Sequence, residues 1–170
     1  MLNLESLTKE ELIKRLNLAM DVATAVDGMW FMAVEKENGY DRALEMDIGV
    51  WKRYPKVLKK RLIKYYEFKN KGLEAVQELI ESDPMLLPME FEFIKDGKNT
   101  MVFKVNKCPA LEAMERIGRK KLTCEPVETV YLEGIAKLCD ERIEIKAIKL
   151  PPRNSKADGC CEWRFTLNDR

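Results

Sequence analysis

Residues 89–105, MEFEFIKDGKNTMVFKV, contain the pattern that decides the fold. Apolar residues occupy every second position of residues 89–93 and again of residues 101–105, and the segment between them, DGKN at 96–99, is typical of a turn. A period of two places alternate side chains on opposite faces of a strand. We therefore predict a β-hairpin with one buried face.

The rest of the second half extends this hairpin. Residues 143–147 and 161–167 alternate in the same way, and helical spacing is found at 109–117 and 125–139. The order hairpin, two helices, two strands predicts an α+β fold in which a four-stranded antiparallel sheet packs against helices.

The first half has the period of helices. Thr8 and Glu11 form a capping-box pattern, and Gly39 is a typical helix end. Further helices are predicted over 40–51, 55–70 and 73–81. We expect the apolar stripe of the first helix to face the core; it consists of Leu12, Ile13, Leu16, Ala19, Met20, Ala23, Val26, Trp30 and Val34.

Length and composition limit the function classes. The 170 residues predict a single domain over 1–170, with a helical part at about 6–82 and a helix-and-sheet part at about 88–168. The chain has five cysteines and no histidine, which excludes catalytic triads, imidazole bases and histidine zinc ligands. No export signal or membrane span is recognisable, so we expect a cytoplasmic protein with reduced thiols and no membrane association.

The cysteines lie in the second half, and none forms a C-x-x-C pair. Cys139 is expected to be a core residue, and each of the others can be read as a small buried hydrophobe. Cys108 and Cys124 instead precede or open predicted helices, where the helix dipole lowers a thiol pKa. With Cys161, which shares the apolar face of its strand, they could bind zinc together with a carboxylate or water.

Three short segments around these cysteines carry a family resemblance: VNKCPA at 105–110, LTC at 122–124 and GCCEWRF at 159–165. They resemble the 4-vinyl-reductase-like domains and the related L-2-amino-thiazoline-4-carboxylic acid hydrolase-like proteins. The resemblance implies a small, often dimeric α/β domain with a hydrophobic pocket for a small molecule, and a zinc ion held by cysteines and a glutamate.

Carried over to this chain, the resemblance makes Cys124 and Cys161 metal ligands, with Cys108 as a further match. The family pattern has another cysteine where this chain has KLPPR at 149–153. Either Cys160 substitutes for it or the metal site is incomplete. The candidate zinc ligands are therefore Cys108, Cys124, Cys160 and Cys161.

Candidate ligand-binding residues lie mainly on the first helix. Asp27 and Glu35 are interpreted either as pocket carboxylates, acting as a base or a metal ligand, or as solvated or capping groups. The aromatic candidates on the first helix, Trp30 and Phe31, are read as core or pocket residues, and Trp163 in the last strand completes the set. We expect an enclosed pocket between helices and sheet that takes a small apolar or aromatic molecule.

The segment 52–71 carries nine basic residues and one acid, Glu67, in a chain of net charge +1. It is interpreted as a solvated helix face or as a surface for an acidic partner. Nucleic acid is not expected, because no groove-reading motif is present.

Three function classes follow: a small-molecule-binding domain with a possible cysteine-bound metal, a thiol-dependent hydrolase, and an interaction protein that uses the basic segment. For the hydrolase, Cys124 or Cys161 would be the nucleophile and Asp27 or Glu35 the base. We favour the binding domain, as a homodimer.

Overall fold

A single antiparallel sheet forms the centre of the computed structural model, which describes residues 4–68 and 70–169. Its strand order is β1-β2-β4-β3, which confirms the predicted α+β fold. The strands are β1 (Glu90–Lys95), β2 (Thr100–Lys107), β3 (Ile143–Lys149) and β4 (Cys161–Leu167).

The strand register fixes which side chains share a face. Phe103 of β2 pairs with Phe93 of β1 on one side and with Trp163 of β4 on the other, and Trp163 in turn pairs with Ala147 of β3. Directly opposed residues point to the same face. One apolar row therefore crosses the whole sheet, as the alternation predicts.

Two helices pack directly on this sheet: Gly72–Glu81 on β4 and Cys124–Cys139 on β3. Short 3₁₀ turns lie at Leu4–Ser6, Pro84–Leu86 and Lys156–Asp158. The helices are α1 (Lys9–Asn38), α2 (Tyr40–Trp51), α3 (Tyr54–Leu62), α4 (Gly72–Glu81), α5 (Pro109–Arg116) and α6 (Cys124–Cys139).

The ends of α1 follow from its sequence. Thr8 Oγ1 accepts a hydrogen bond from the Glu11 amide (3.2 Å), and the Glu11 carboxylate accepts one from the Thr8 amide (2.9 Å). Gly39 ends the helix at φ +81°, where a side chain would be strained. The third helix, by contrast, ends at Leu62 and not near residue 70. Ile63, Tyr65 and Tyr66 are exposed, so no packing supports further turns.

One cluster of buried side chains contains residues of both halves of the chain. Leu58 and Ile80 from the helical half pack in the same cluster as Phe103 and Trp163 from the sheet. Cys139, expected in the core, is half-buried and packs against this cluster.

The position of α1 corrects one prediction. Met20 and Phe31 are its buried residues, and α1 packs on α2 and the 3₁₀ turn at Pro84–Leu86. Most of the stripe expected in the core is exposed, namely Leu12, Ile13, Leu16, Ala19, Val26 and Trp30. Helical spacing identifies an apolar face but not whether the same chain covers it. None of the helices within the described residues combines the length and apolar character of a membrane span.

Candidate functional site

A two-chambered cleft lies between the helices. The outer chamber, about 630 Å³, is lined mainly by α1 and α5. The inner chamber, about 130 Å³, lies deeper, between α2, residues 85–89 and the beginnings of α5 and α6. Both are lined by Thr24, Asp27 and Asp47 on the α1–α2 side and by Ala110 and Met114 of α5. We call this shared region the neck.

Small side chains on α1 leave room for the outer chamber. Thr24, Ala25 and Gly28 lie three and four residues apart and line the same wall. A Cβ added at Gly28 would meet no atom within 4 Å. On the opposite wall Pro109 begins α5, a position that suits proline because its missing N–H is not needed there.

Two carboxyl groups meet at the neck. Asp47 is only 7% exposed, and burial, followed by the nearby charge of Asp27, raises its pKa to about 6. Asp27 lies on the open side of the cleft, where the adjacent walls remove part of its water and raise its pKa. Within residues 4–68 and 70–169, neither carboxyl group forms a salt bridge.

The inner chamber combines a carboxyl group with two thiols. Glu128, Cys108 and Cys124 line it, and burial raises the pKa of Glu128 to about 7. The nearby Asp83 is also buried but is fully hydrogen-bonded, by Tyr54 Oη (2.7 Å), Tyr131 Oη (2.8 Å) and the Met85 amide (2.9 Å).

The prediction that Cys108 and Cys124 have lowered pKa values is wrong. Burial raises the pKa of Cys108 to about 11 and that of Cys124 to about 12. Backbone amides at the start of α5 do act on the Cys108 thiol in the predicted direction. Desolvation is the larger effect, so both thiols are protonated at neutral pH.

The other two candidate thiols lie near the same groups, since the charges of Glu128, Cys108 and Cys124 act on Cys161 and that of Cys160 acts on Cys124. Burial raises the pKa of both Cys160 and Cys161. Arg153 lies in the stretch where the family pattern has a cysteine, and its Nη1 donates to Cys160 Sγ at 3.4 Å. The same guanidinium forms two hydrogen bonds with the Glu115 carboxylate, at 2.8 and 2.7 Å.

The candidate zinc ligands are too poorly arranged to form a metal site. Among the residues that the structure describes, no group of three or more Cys, Asp or Glu side chains is arranged to hold a metal ion. The four cysteines as placed in the described chain do not fit a zinc site. Zinc stays a prediction that metal analysis of the purified protein would test.

The predicted ligand-binding residues on α1 differ in their position relative to the cleft. Asp27 and Phe31 line the outer chamber. Glu35 reaches it indirectly, through a 2.8 Å ion pair with Arg119, whose guanidinium carbon lies 5.0 Å from the Phe31 ring centroid. Trp30 is exposed and lines neither chamber.

Trp163 also lies outside the cleft, in the sheet core. Its indole N–H has no hydrogen-bond partner in the described chain. The cleft thus lies between helices and is open at its outer end, whereas we expected an enclosed pocket between helices and sheet.

Sequence reasoning missed two residues of the site, Asp47 and Glu128. Asp47 lies four residues from both Ala43 and Trp51 on the apolar face of α2, and Glu128 follows Val127 and precedes Tyr131 on α6. A carboxylate at a core-facing helical position was the available signal.

The basic segment is largely exposed and separate from the cleft. Lys59 is an exception, since its ammonium group donates to the Leu138 carbonyl at 2.9 Å. Lys69 lies outside the described residues.

Residues 5–167 match the model of a protein family described as "Family of unknown function (DUF6125)". The chain belongs to this family. No curated protein matches the sequence. The DUF6125 match includes both chambers, but it names no activity and does not bear on the 4-vinyl-reductase-like resemblance, which stays a prediction.

Proposed function

We propose that this member of DUF6125 binds a small molecule in the two-chambered cleft. The observation that carries the proposal is that the two chambers adjoin at the neck, where Asp27 and Asp47 line both of them. Ligand sites are typically concave and largely apolar, with a few polar groups that fix orientation. The cleft has this composition, because Phe31 and Met114 line it beside the two carboxyl groups.

The volume supports a ligand of ordinary metabolite size. The outer chamber, at about 630 Å³, falls within the ~300–1,000 Å³ typical of small-molecule sites. The inner chamber is much smaller, and it accommodates one end of a molecule whose larger part occupies the outer chamber.

Blocking the neck tests this proposal. Ala110 is exposed and lines both chambers, so a tryptophan there fills the cleft without disturbing the core. A metabolite library would be screened by ligand-detected NMR against the wild type, Ala110→Trp and the control Ala157→Trp, an exposed site in the 3₁₀ turn Lys156–Asp158. We expect compounds that bind the wild type and Ala157→Trp but not Ala110→Trp. Equal binding to all three proteins, or no binding at all, would contradict the proposal.

A thiol-dependent hydrolase is the second candidate. It is favoured by one observation: Cys124 and Glu128, four residues apart on α6, line the same inner chamber. The thiol is protonated at neutral pH, so Glu128 would have to accept its proton as the sulfur attacks. This assignment replaces Asp27 and Glu35 as the base.

Alkylation with iodoacetamide tests the hydrolase. If the protein is a thiol-dependent hydrolase, the rate of Cys124 alkylation at pH 8 should be higher in the wild type than in Glu128→Gln. Equal rates, measured by peptide mass spectrometry, would exclude Glu128 as the activating base.

The exposed face of α1 supports the predicted homodimer. Leu12, Leu16, Val26 and Trp30 are exposed and form an apolar stripe along the helix, next to the buried Met20 and Phe31. A contiguous exposed apolar surface often marks a protein–protein interface. We propose that a second copy of the chain covers this face.

A further inference from the structure

The charges that line the inner chamber are all of one sign. Its lining includes Asp27, Asp47 and Glu128 but no lysine or arginine from the described chain. The outer chamber has two arginines, of which Arg119 is already paired with Glu35 and Arg116 is exposed. The deep end of the cleft therefore has no cation of its own.

The contrast with Asp83 shows how this chain satisfies a buried carboxyl group when the role is structural. Asp83 is 3% exposed, and its carboxylate accepts hydrogen bonds from two tyrosine hydroxyls and one backbone amide. Asp47 is almost as buried, at 7%, but within residues 4–68 and 70–169 it forms no salt bridge and has the Trp51 side chain as its one hydrogen-bonding neighbour. A carboxylate left in this state is costly unless something outside the chain pairs with it.

Asp47 also faces open space, whereas Asp83 does not. Asp47 lines both chambers, so a molecule bound in the outer chamber lies against it. Asp27 lies on the same side of the neck and adds a second carboxyl group within reach of the same ligand.

We propose that the ligand carries a positively charged nitrogen, an ammonium or amidinium group, which binds at the neck between Asp27 and Asp47. An apolar body attached to it occupies the outer chamber, beside Phe31, Met32 and Ile117. An N–H donor group satisfies carboxylate oxygens by charge-assisted hydrogen bonds, which are stronger than neutral ones. This inference rests on the proposed function and names the ligand class of the same cleft.

An organic cation fits better than a metal ion. Within residues 4–68 and 70–169, no three acidic or thiol side chains are arranged to hold a metal. Two carboxyl groups beside an apolar chamber provide hydrogen-bond acceptors for one protonated nitrogen, and the chamber provides an apolar surface for the carbon atoms attached to it.

Three probes of the same size but different charge test the proposal: 3-phenylpropylammonium, 3-phenylpropanol and 3-phenylpropionate. Dissociation constants would be measured at pH 8 by NMR titration of the full chain. We expect the ammonium compound to bind at least tenfold more tightly than the alcohol, and the carboxylate to bind most weakly. Calcium chloride and zinc chloride alone serve as further probes, and competition by either ion at micromolar concentration would overturn the organic-cation assignment.

Matched variants locate the preference. Asp47→Asn and, separately, Asp27→Asn should each reduce the ammonium-over-alcohol preference about tenfold while leaving alcohol binding unchanged. Asp27 is exposed, so its variant tests the proposal even if Asp47→Asn does not fold. Asp41→Asn, which removes an exposed carboxyl group of α2 that lines neither chamber, is the control and should keep the preference.

The outcomes separate the two proposals. If the alcohol binds as tightly as the ammonium compound, or if both variants keep the preference, the cationic ligand is refuted and the binding cleft stands. If neither these probes nor the metabolite library binds the wild type, the cleft proposal fails, and this inference fails with it.

Discussion

Replacing Asp47 by asparagine should stabilise the folded protein in the absence of ligand, and by an amount that depends on pH. Burial and the charge of Asp27 raise the pKa of Asp47 from 3.8 to about 6. At 1.36 kcal/mol per pKa unit, the ionised carboxylate lowers the free energy of unfolding by about 3 kcal/mol. Asparagine has the same shape, carries no charge and still accepts the hydrogen bond from Trp51.

The sign follows from proton binding. Because the folded-state pKa is raised, the folded protein keeps the Asp47 proton at pH values where the unfolded chain has lost it. Stability is therefore lost as the pH rises from about 4 to about 6, and the loss is constant above that range. The gain in Asp47→Asn should be about 1 kcal/mol at pH 4.5 and about 3 kcal/mol at pH 8.

Urea unfolding at pH 4.5 and pH 8, followed by tryptophan fluorescence, measures this difference. The other titratable groups that line the inner chamber in the described chain are Asp27, Glu128, Tyr131 and the thiols of Cys108 and Cys124. None of them is cationic, so none can pair with the Asp47 carboxylate. Asp21→Asn is the control, because its carboxyl group is exposed. A gain that is the same at both pH values, or a loss of stability at pH 8, would refute the reasoning.

The remaining predictions concern packing, hydrogen bonding and assembly. Gly134→Ala places a Cβ 2.7 Å from Pro55 Cγ and should lower the free energy of unfolding by about 1–3 kcal/mol in the same urea assay. Gly49→Ala in α2 is the contrasting change, because its Cβ would meet no atom within 4 Å, and it should raise the free energy of unfolding by about 0.5–1 kcal/mol. Asp83→Ala leaves the buried Tyr131 hydroxyl unpaired and should cost about 3 kcal/mol, against about 1 kcal/mol for Tyr54→Phe; equal costs would show that burial of the hydroxyl is irrelevant. Light scattering should find a dimer that Val26→Glu on α1 dissociates and Val57→Glu on α3 does not, and a monomeric wild type would refute the dimer.

The sheet could be predicted from the sequence because each strand is identified by the alternation of its own residues. Alternation in β1, β2 and β4 assigns Phe103 and Trp163 to one face before any pairing is known, and the turn residues at 96–99 set the hairpin. The end of α1 at Gly39 was equally local, since a positive φ there requires glycine.

The site could be predicted only in part, because its properties depend on which elements meet. Asp27 and Phe31 were identified on α1, but Asp47 acquires its role only when α2 packs beside α1. The thiol pKa values show the same limit. A helix start is visible in the sequence around Cys108, whereas the burial that outweighs it is not.

The two walls of the cleft, α1 and α5, are attached to the rest of the protein to different extents, and this affects how a ligand enters. Arg153, whose side chain is 3% exposed, pairs with Glu115 and fastens α5 to the loop before β4. Helix α1 is about 45 Å long at 1.5 Å per residue, but it has two buried side chains, Met20 and Phe31, and its ion pair with Arg119 is formed by Glu35 in its last turn. In the isolated chain, subglobal opening therefore begins at α1, and amide hydrogens there should exchange with solvent well before those of α6.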